Sequence, residues 1–293
     1  MKKKIAYISN HFGGNFGAGQ SSLDVLQALL SNQFQVVAIC HQPPGDTLDL
    51  PESHRSQLEI YEAPRLLTRV YPSGIIKKRM QSISIYLHRI YLSHKRISEN
   101  TGLTIVNSIG SHQLYASIRT RCHVKPTIII RESPKMFDQQ LTPLPIDRVL
   151  TRLKMYDHFI FVSKNCQKSW LREGLKKSAQ CYYIPNCCRE KEIDSIKAHS
   201  RQHYRKKLNL PPDGFLIICA ASVQPRKGQD LLVQAIPELN SKIPNLFTGF
   251  VGSIDTEWGS RLMSRVKEEY AGNNVRFMGH RSNALEYIYA ADL

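Results

Sequence analysis

The stretch ASVQPRKGQDLLVQAIPEL, residues 221–239, decides how this chain is read. It continues an apolar run, FLIICAAS (215–222), and together they predict a strand, a tight loop and a helix. The loop carries Arg226, Lys227 and Gly228. In parallel α/β sheets, ligands sit at the carboxyl ends of strands. A helix N-terminus there adds unpaired N–H groups and a partial positive charge. Two cations, and a glycine that lets the backbone come close, make the corner a cradle for phosphate. The competing reading is a solvated basic loop.

The same βα pattern runs outward from this corner. Strand-like runs at 4–9, 34–40, 103–108, 126–131, 158–163 and 181–185 are nearly continuous in apolar residues, as in parallel strands buried on both faces. A glycine loop follows the first run, and a helix is expected from about Gln20. After 215–222 come a helix at 228–240, strands at 246–252 and 274–279, and helices at 257–270 and 282–290. The helix at 228–240 is expected to bury Leu231, Leu232, Ala235, Ile236 and Leu239. Between the two series lies a polar, charged stretch ending in Pro211-Pro212. The expectation is an α/β chain of two Rossmann-like domains with parallel sheets, the second incomplete. Residues 1–190 form the first domain, 191–212 a linker and 213–293 the partial second domain.

Composition narrows the function classes. At 293 residues and 42% hydrophobic content, the chain can bury two cores. No run approaches the ~18 apolar residues of a membrane span, and the apolar run near the N-terminus is shorter than a secretory signal requires. The expected location is cytoplasmic. The formal net charge of +16 lies mostly in residues 1–199 and favours an anionic partner. Residues 65–98 hold Arg65, Arg69, Lys77, Lys78, Arg79, Arg89, Lys95 and Arg96 with no acidic residue, and apolar residues recur there at helical spacing. Such a helix either adheres to an acidic membrane or packs on the core with a solvated face. No DNA- or RNA-reading motif is present, so nucleic acid is not expected. The seven cysteines include no C-x-x-C pair and read as reduced, mostly buried thiols. No set of ligands has metal-site spacing, and no metal is expected. His11 and His112 follow strand-like runs and are either ligand contacts or structural residues.

Four motifs in order carry a resemblance. ASVQPRKGQDLLVQAIPEL, VRFMGHRSNALEYIYAADL (275–293), YYIPNCC (182–188) and GAGQSSLDVLQALL (17–30) resemble glycosyltransferase family 4 over essentially the whole chain. The resemblance implies the GT-B fold and retaining sugar transfer without an obligatory metal. The implied donor is a nucleotide-diphosphate sugar (UDP- or GDP-sugar), and the acceptor a glycan or lipid-linked molecule of polysaccharide or envelope synthesis. It assigns Lys227 to the donor diphosphate. The family's arginine falls on Ser222, so Arg226 is the candidate replacement. Arg281 lies in the loop matching the one that reads the donor base, and Gly17 and Gly19 match the loop that approaches donor phosphate and acceptor. Where the family often has a histidine after the strand at 126–131, this chain has Arg131, Glu132 and Ser133. Glu132 is a candidate hydrogen-bonding substitute in catalysis or a surface ion pair. The resemblance also implies a chain that stops before the family's paired glutamates. A truncated, non-catalytic fragment or split subunit is therefore the alternative expectation.

Overall fold

The computed structural model describes residues 4–12, 17–41, 52–63, 83, 101–118, 126–138, 145–175, 180–187, 190–270 and 274–293. The chain divides into two compact units, Met1–Asn186 and Cys187–Leu293. The basic stretch 65–98 lies, apart from Ile83, outside the described residues, as does the glycine loop at 13–16.

The first unit is built on seven parallel strands: β1 (Lys4–Ile8), β2 (Gln35–Cys40), β3 (Leu58–Glu62), β4 (Thr101–Asn107), β5 (Thr127–Ile130), β6 (His158–Phe161) and β7 (Gln180–Tyr183). Their spatial order is β3-β2-β1-β4-β5-β6-β7, so the winding reverses between β1 and β4. Two hydrophobic clusters cover the two faces. Ile5 and Tyr7 join Leu26, Leu30 and Val36 on one face. Ile8 joins Val37, Val106, Ile128, Phe159 and Trp170 on the other. This burial on both sides is why the central strands read as unbroken apolar runs. Helix α1 (Gly17–Ser31) starts three residues earlier than expected and packs Leu23, Leu26 and Leu30 against the sheet.

Strand β3 is an element that the sequence reading did not anticipate. Its segment, LEIYE, has two glutamates and lies at the sheet edge, where Ile60 is exposed and Glu59 pairs with Lys4 at 3.3 Å. An edge strand covered on few sides carries no continuous apolar signal.

The second unit holds three parallel strands, β8 (Leu216–Ala220), β9 (Phe247–Val251) and β10 (Val275–Gly279), in the order β10-β9-β8. The backbone of residues 292–293 lies along the other edge of β8. The Ile218 N–H donates to the Leu293 carbonyl at 2.9 Å, and the Asp292 N–H to the Leu216 carbonyl at 2.9 Å.

Residues 191–212, expected as a linker, fall largely in two helices, α7 (Glu190–Lys197) and α8 (Arg201–Lys207). Ser200 caps α8 by accepting from the His203 N–H at 3.2 Å. Tyr204 and Leu210 are buried in one cluster with Leu216, Phe247 and Tyr287. The abundant charge of this stretch belongs to its outer face, and the sparse apolar residues are the ones that pack.

Helix α9 (Gln229–Lys242) buries Gln229, Val233 and Ile236. Leu231, expected in the core, is 66% exposed, because the sheet-facing stripe runs through Leu232, Val233 and Ile236.

Candidate functional site

The corner after β8 is closed by a short 3-10 turn, Pro225–Lys227, and by Gly228. Gly228 has φ 70° and ψ 20°, the left-handed conformation that glycine adopts without steric penalty. It is also the residue from which α9 starts, and among the described residues no side chain caps that helix. The N-terminal N–H groups of α9 therefore keep the partial charge that attracts anions.

Gln229 laces the loop from beneath. It is fully buried, donates to the Ser222 carbonyl at 3.0 Å and accepts from the Gln224 N–H at 3.4 Å. Ser222 is thus used through its backbone and is partly exposed. Val223 is held by the neighbouring loop: its N–H donates to the Ser253 carbonyl at 2.9 Å, and its carbonyl accepts from Thr256 Oγ1 at 3.1 Å.

The β9 loop approaches so closely that a Cβ on Gly252 would lie 2.0 Å from the Ala221 carbonyl oxygen. Backbone cannot withdraw as a flexible side chain can. Gly252→Ala is expected to destabilise the second unit by about 3 kcal/mol, at the upper end of overpacking effects. Urea denaturation followed by hydrogen exchange of β8 and β9 checks this; an unchanged midpoint would mean that the two loops are not braced.

Lys227 and Arg226 are both exposed. Their surroundings differ. Arg226 Nε donates to Gln224 Oε1 at 3.2 Å, within its own loop. Lys227 has no ion pair among the described residues, and its charge reaches Cys219 at the end of β8. Burial raises the Cys219 thiol pKa, and Lys227 pulls against that rise.

Arg281 is exposed and lies elsewhere in the unit. It lines an open groove of about 650 Å³ with Asn209, Lys267, Arg276, Phe277 and Tyr287. No residue of 221–228 lines that groove. The structure therefore groups Ser222, Arg226 and Lys227 and keeps Arg281 with a different set of neighbours.

The first unit has its own polar centre, at the carboxyl ends of β1, β4 and β5, where the winding reverses. Ser9 Oγ and Ser22 Oγ lie 2.8 Å apart. Asn107 Nδ2 donates to Ser9 Oγ at 3.3 Å and to Ser22 Oγ. Arg131 Nε donates to Asn107 Oδ1 at 3.1 Å, and Arg131 Nη1 donates to Asn186 Oδ1. Beside them Ser108 has φ 74° and ψ 156°, a region almost reserved for glycine that costs roughly 1–3 kcal/mol elsewhere. The sequence reading singled out Glu132 here, whereas the network is organised by Arg131, Asn107, Ser9, Ser22 and Asn186. Polar residues ending several parallel strands were the available signal.

Glu132 is partly exposed, and its Oε2 accepts from the Arg131 N–H at 3.1 Å. No ion pair involves it among the described residues. Its carbonyl is fixed by Trp170 Nε1 at 2.8 Å and by the Cys166 thiol at 3.3 Å. Gly17 begins α1, and Gly19 is buried in its first turn. His112 is a core residue, with Nδ1 2.9 Å from the Tyr156 hydroxyl, whereas His11 is exposed.

Burial pushes the Cys40 thiol up to about 12 and Cys166 to about 11, Glu132 adding to the latter shift. Both stay protonated at neutral pH, so neither is a nucleophile there. Among the described residues no group of three or more His, Cys, Asp or Glu could hold a metal ion. No helix among them is long and apolar enough to cross a membrane.

Residues 200–293 match the family model described as glycosyl transferases group 1. A D-inositol 3-phosphate glycosyltransferase of Jonesia denitrificans is 32% identical over 104 residues, 33% of this chain and 24% of that protein. The alignment thus spans about a quarter of this relative's length. Among solved structures, sucrose-phosphate synthase from Thermosynechococcus elongatus aligns with TM-score 0.69 at 19% identity, over 99% of this chain and 74% of that one. The Anabaena protein HepE, solved with UDP-glucose, aligns with TM-score 0.69 at 15% identity, over 99% of this chain and 72% of its own. With two parallel α/β units and these structural neighbours, the chain has the fold of the GT-B glycosyltransferases.

Proposed function

We propose that this chain is a glycosyltransferase that moves a sugar from a nucleotide-diphosphate sugar to a glycan or lipid-linked acceptor. The observation that carries the reading is the Lys227–Gly228 turn at the carboxyl end of β8, inside the segment that matches the family model. Residues 213–293 serve as the donor domain and residues 1–190 as the acceptor domain. Lys227, with Arg226 beside it, stabilises the charge that develops on the leaving diphosphate as the glycosidic bond breaks. Fixed cations act most strongly on charge that grows in the transition state, so the step gains more than ground-state binding does. The backbone around Ser222 lies against the diphosphate, and Arg281 lies beside the base. Gly17 and Gly19 let the first helix of the acceptor domain approach the substrates. Glu132 accepts a hydrogen bond from the acceptor hydroxyl. Transfer is with retention of configuration and without an obligatory metal. The protein works in polysaccharide or envelope synthesis at the cytoplasmic side, with a peripheral hold on acidic membrane through the basic stretch 65–98.

UDP is the favoured nucleotide, supported by the UDP-glucose bound to HepE. Calorimetric titration of the full chain with UDP-glucose, UDP and GDP-sugars tests the donor. Saturable binding of UDP-glucose, displaced by UDP, is expected. No heat with any UDP- or GDP-sugar would overturn the reading.

A further inference from the structure

We infer that Arg131 is an anion-binding residue of the first unit and that it holds a phosphate ester carried by the acceptor. What the anion belongs to rests on the glycosyltransferase reading; the site itself does not.

The case starts from the surroundings of the guanidinium. Arg131 directly follows β5, beside the point where the sheet's winding reverses, which is where open α/β sheets bind ligands. Two of its N–H groups are taken by amide oxygens, those of Asn107 and Asn186. Neither partner carries charge. Among the described residues no carboxylate lies within ion-pair distance of it, and the neighbouring Glu132 directs Oε2 to the backbone N–H instead. A partly buried arginine is thus oriented by two neutral acceptors, and among the described residues its charge has no carboxylate partner and its remaining N–H groups no acceptor.

The amide partners are themselves fixed. Asn107 is 2% exposed and is locked through Ser9 and Ser22, so the Arg131 fork is held before any ligand arrives. Burial raises the Tyr7 phenol pKa, and the Arg131 charge pulls against that rise. A planar fork with free donors matches phosphate oxygens in pairs, which a lysine ammonium does not. The positive excess of residues 1–199 suits a multiply charged anion better than a monovalent one.

The test is calorimetric titration of the full chain with inorganic phosphate, at ionic strength held constant with sodium chloride. Saturable binding is expected in the wild type. It should weaken by about ten-fold or more in Arg131→Gln, where the charge-assisted bonds are lost, and by less in Arg131→Lys. Asn186→Asp provides a second variant at an exposed position: its carboxylate would answer the Arg131 charge and weaken phosphate by a similar factor. Circular dichroism reports whether each variant is folded.

Phosphate binding that survives both Arg131→Gln and Asn186→Asp would overturn the inference. Acetate binding as tightly as phosphate would overturn the ligand class. Flotation with phosphatidic acid vesicles, compared between wild type and Arg131→Gln, assigns the source. A loss in the variant indicates a lipid phosphate and no difference a soluble one, and both results uphold the phosphate site. UDP binding is expected to persist in Arg131→Gln. If the wild type binds phosphate at Arg131 but no UDP, the donor reading fails while the anion site stands.

Discussion

Lys227→Ala in the full chain is expected to lower UDP release from UDP-glucose by a factor of about 10²–10³, the loss seen when one preorganised charge-stabilising donor is removed. The fold should not change. Lys227 is exposed and unpaired among the described residues, and surface substitutions of that kind usually stay within about 0.5 kcal/mol. Its backbone N–H closes the turn onto the Gln224 carbonyl at 2.9 Å, a bond that alanine keeps. Arg226→Ala should have a much smaller effect. The Arg226 side chain is engaged with Gln224, whereas the Lys227 charge is felt at Cys219, at the end of the strand where the leaving group is proposed to sit. Measuring both variants separates a specific role from general basicity. Equal losses would make the corner a diffuse positive patch, and near-normal release by Lys227→Ala would remove the donor site from this loop.

The contrast between these two cations also marks how far the sequence could be read. The corner was legible because everything it needs is local: an apolar strand, cations, a glycine and a helix within 215–240. The central strands were legible for a similar reason, since burial on both faces leaves a continuous apolar run. Four features were hidden. β3 lies at an edge and carries two glutamates in five residues. α8 looked like linker because only Tyr204 and Arg205 of its residues are buried. The stripe of α9 is set by the sheet beneath it, so a helical pattern alone put Leu231 inside. The network around Arg131 was least visible of all. Asn107 meets Ser9 across 98 positions, and Arg131 meets Asn186 across 55. Only the order of strands in the sheet brings such residues together, and one sequence does not state that order.

The same distance in sequence hides the residue expected to matter most for stability. Arg205 on α8 carries a guanidinium on a side chain only 5% exposed. Its Nε donates to the Ala290 carbonyl at 3.1 Å, Nη1 to the Pro212 and Gly214 carbonyls at 3.3 and 3.1 Å, and Nη2 to Asp292 at 2.6 Å. Asp292 in turn accepts from the Leu216 N–H at the start of β8, at 2.9 Å. One guanidinium thus joins α8, the turn before β8, the strand itself and the end of α11 (Ala284–Ala290). Arg205→Met keeps the volume and removes the donors. It leaves three carbonyls and a carboxylate short of partners, and breaking a buried pair in this way costs about 3–5 kcal/mol. That is a large share of the roughly 5–15 kcal/mol that holds a domain folded, so hydrogen exchange in β8 and β9 should accelerate strongly.

Asp292→Asn distinguishes charge from hydrogen bonding. The Leu216 N–H holds the Asp292 carboxyl below its ordinary range, and Arg205 and Arg201 add to the effect against the opposing burial. A depressed carboxylate contributes stability above its unfolded pKa of about 3.9 and loses it as pH falls through the lower folded value. Asp292→Asn should therefore be clearly less stable than the wild type at pH 7, and the gap should close below about pH 4 as the wild-type carboxylate takes up its proton. A gap that stays constant over that window would show that Asp292 acts only as a neutral acceptor. The hub would then be held by the Arg205 bonds to backbone carbonyls, which do not titrate.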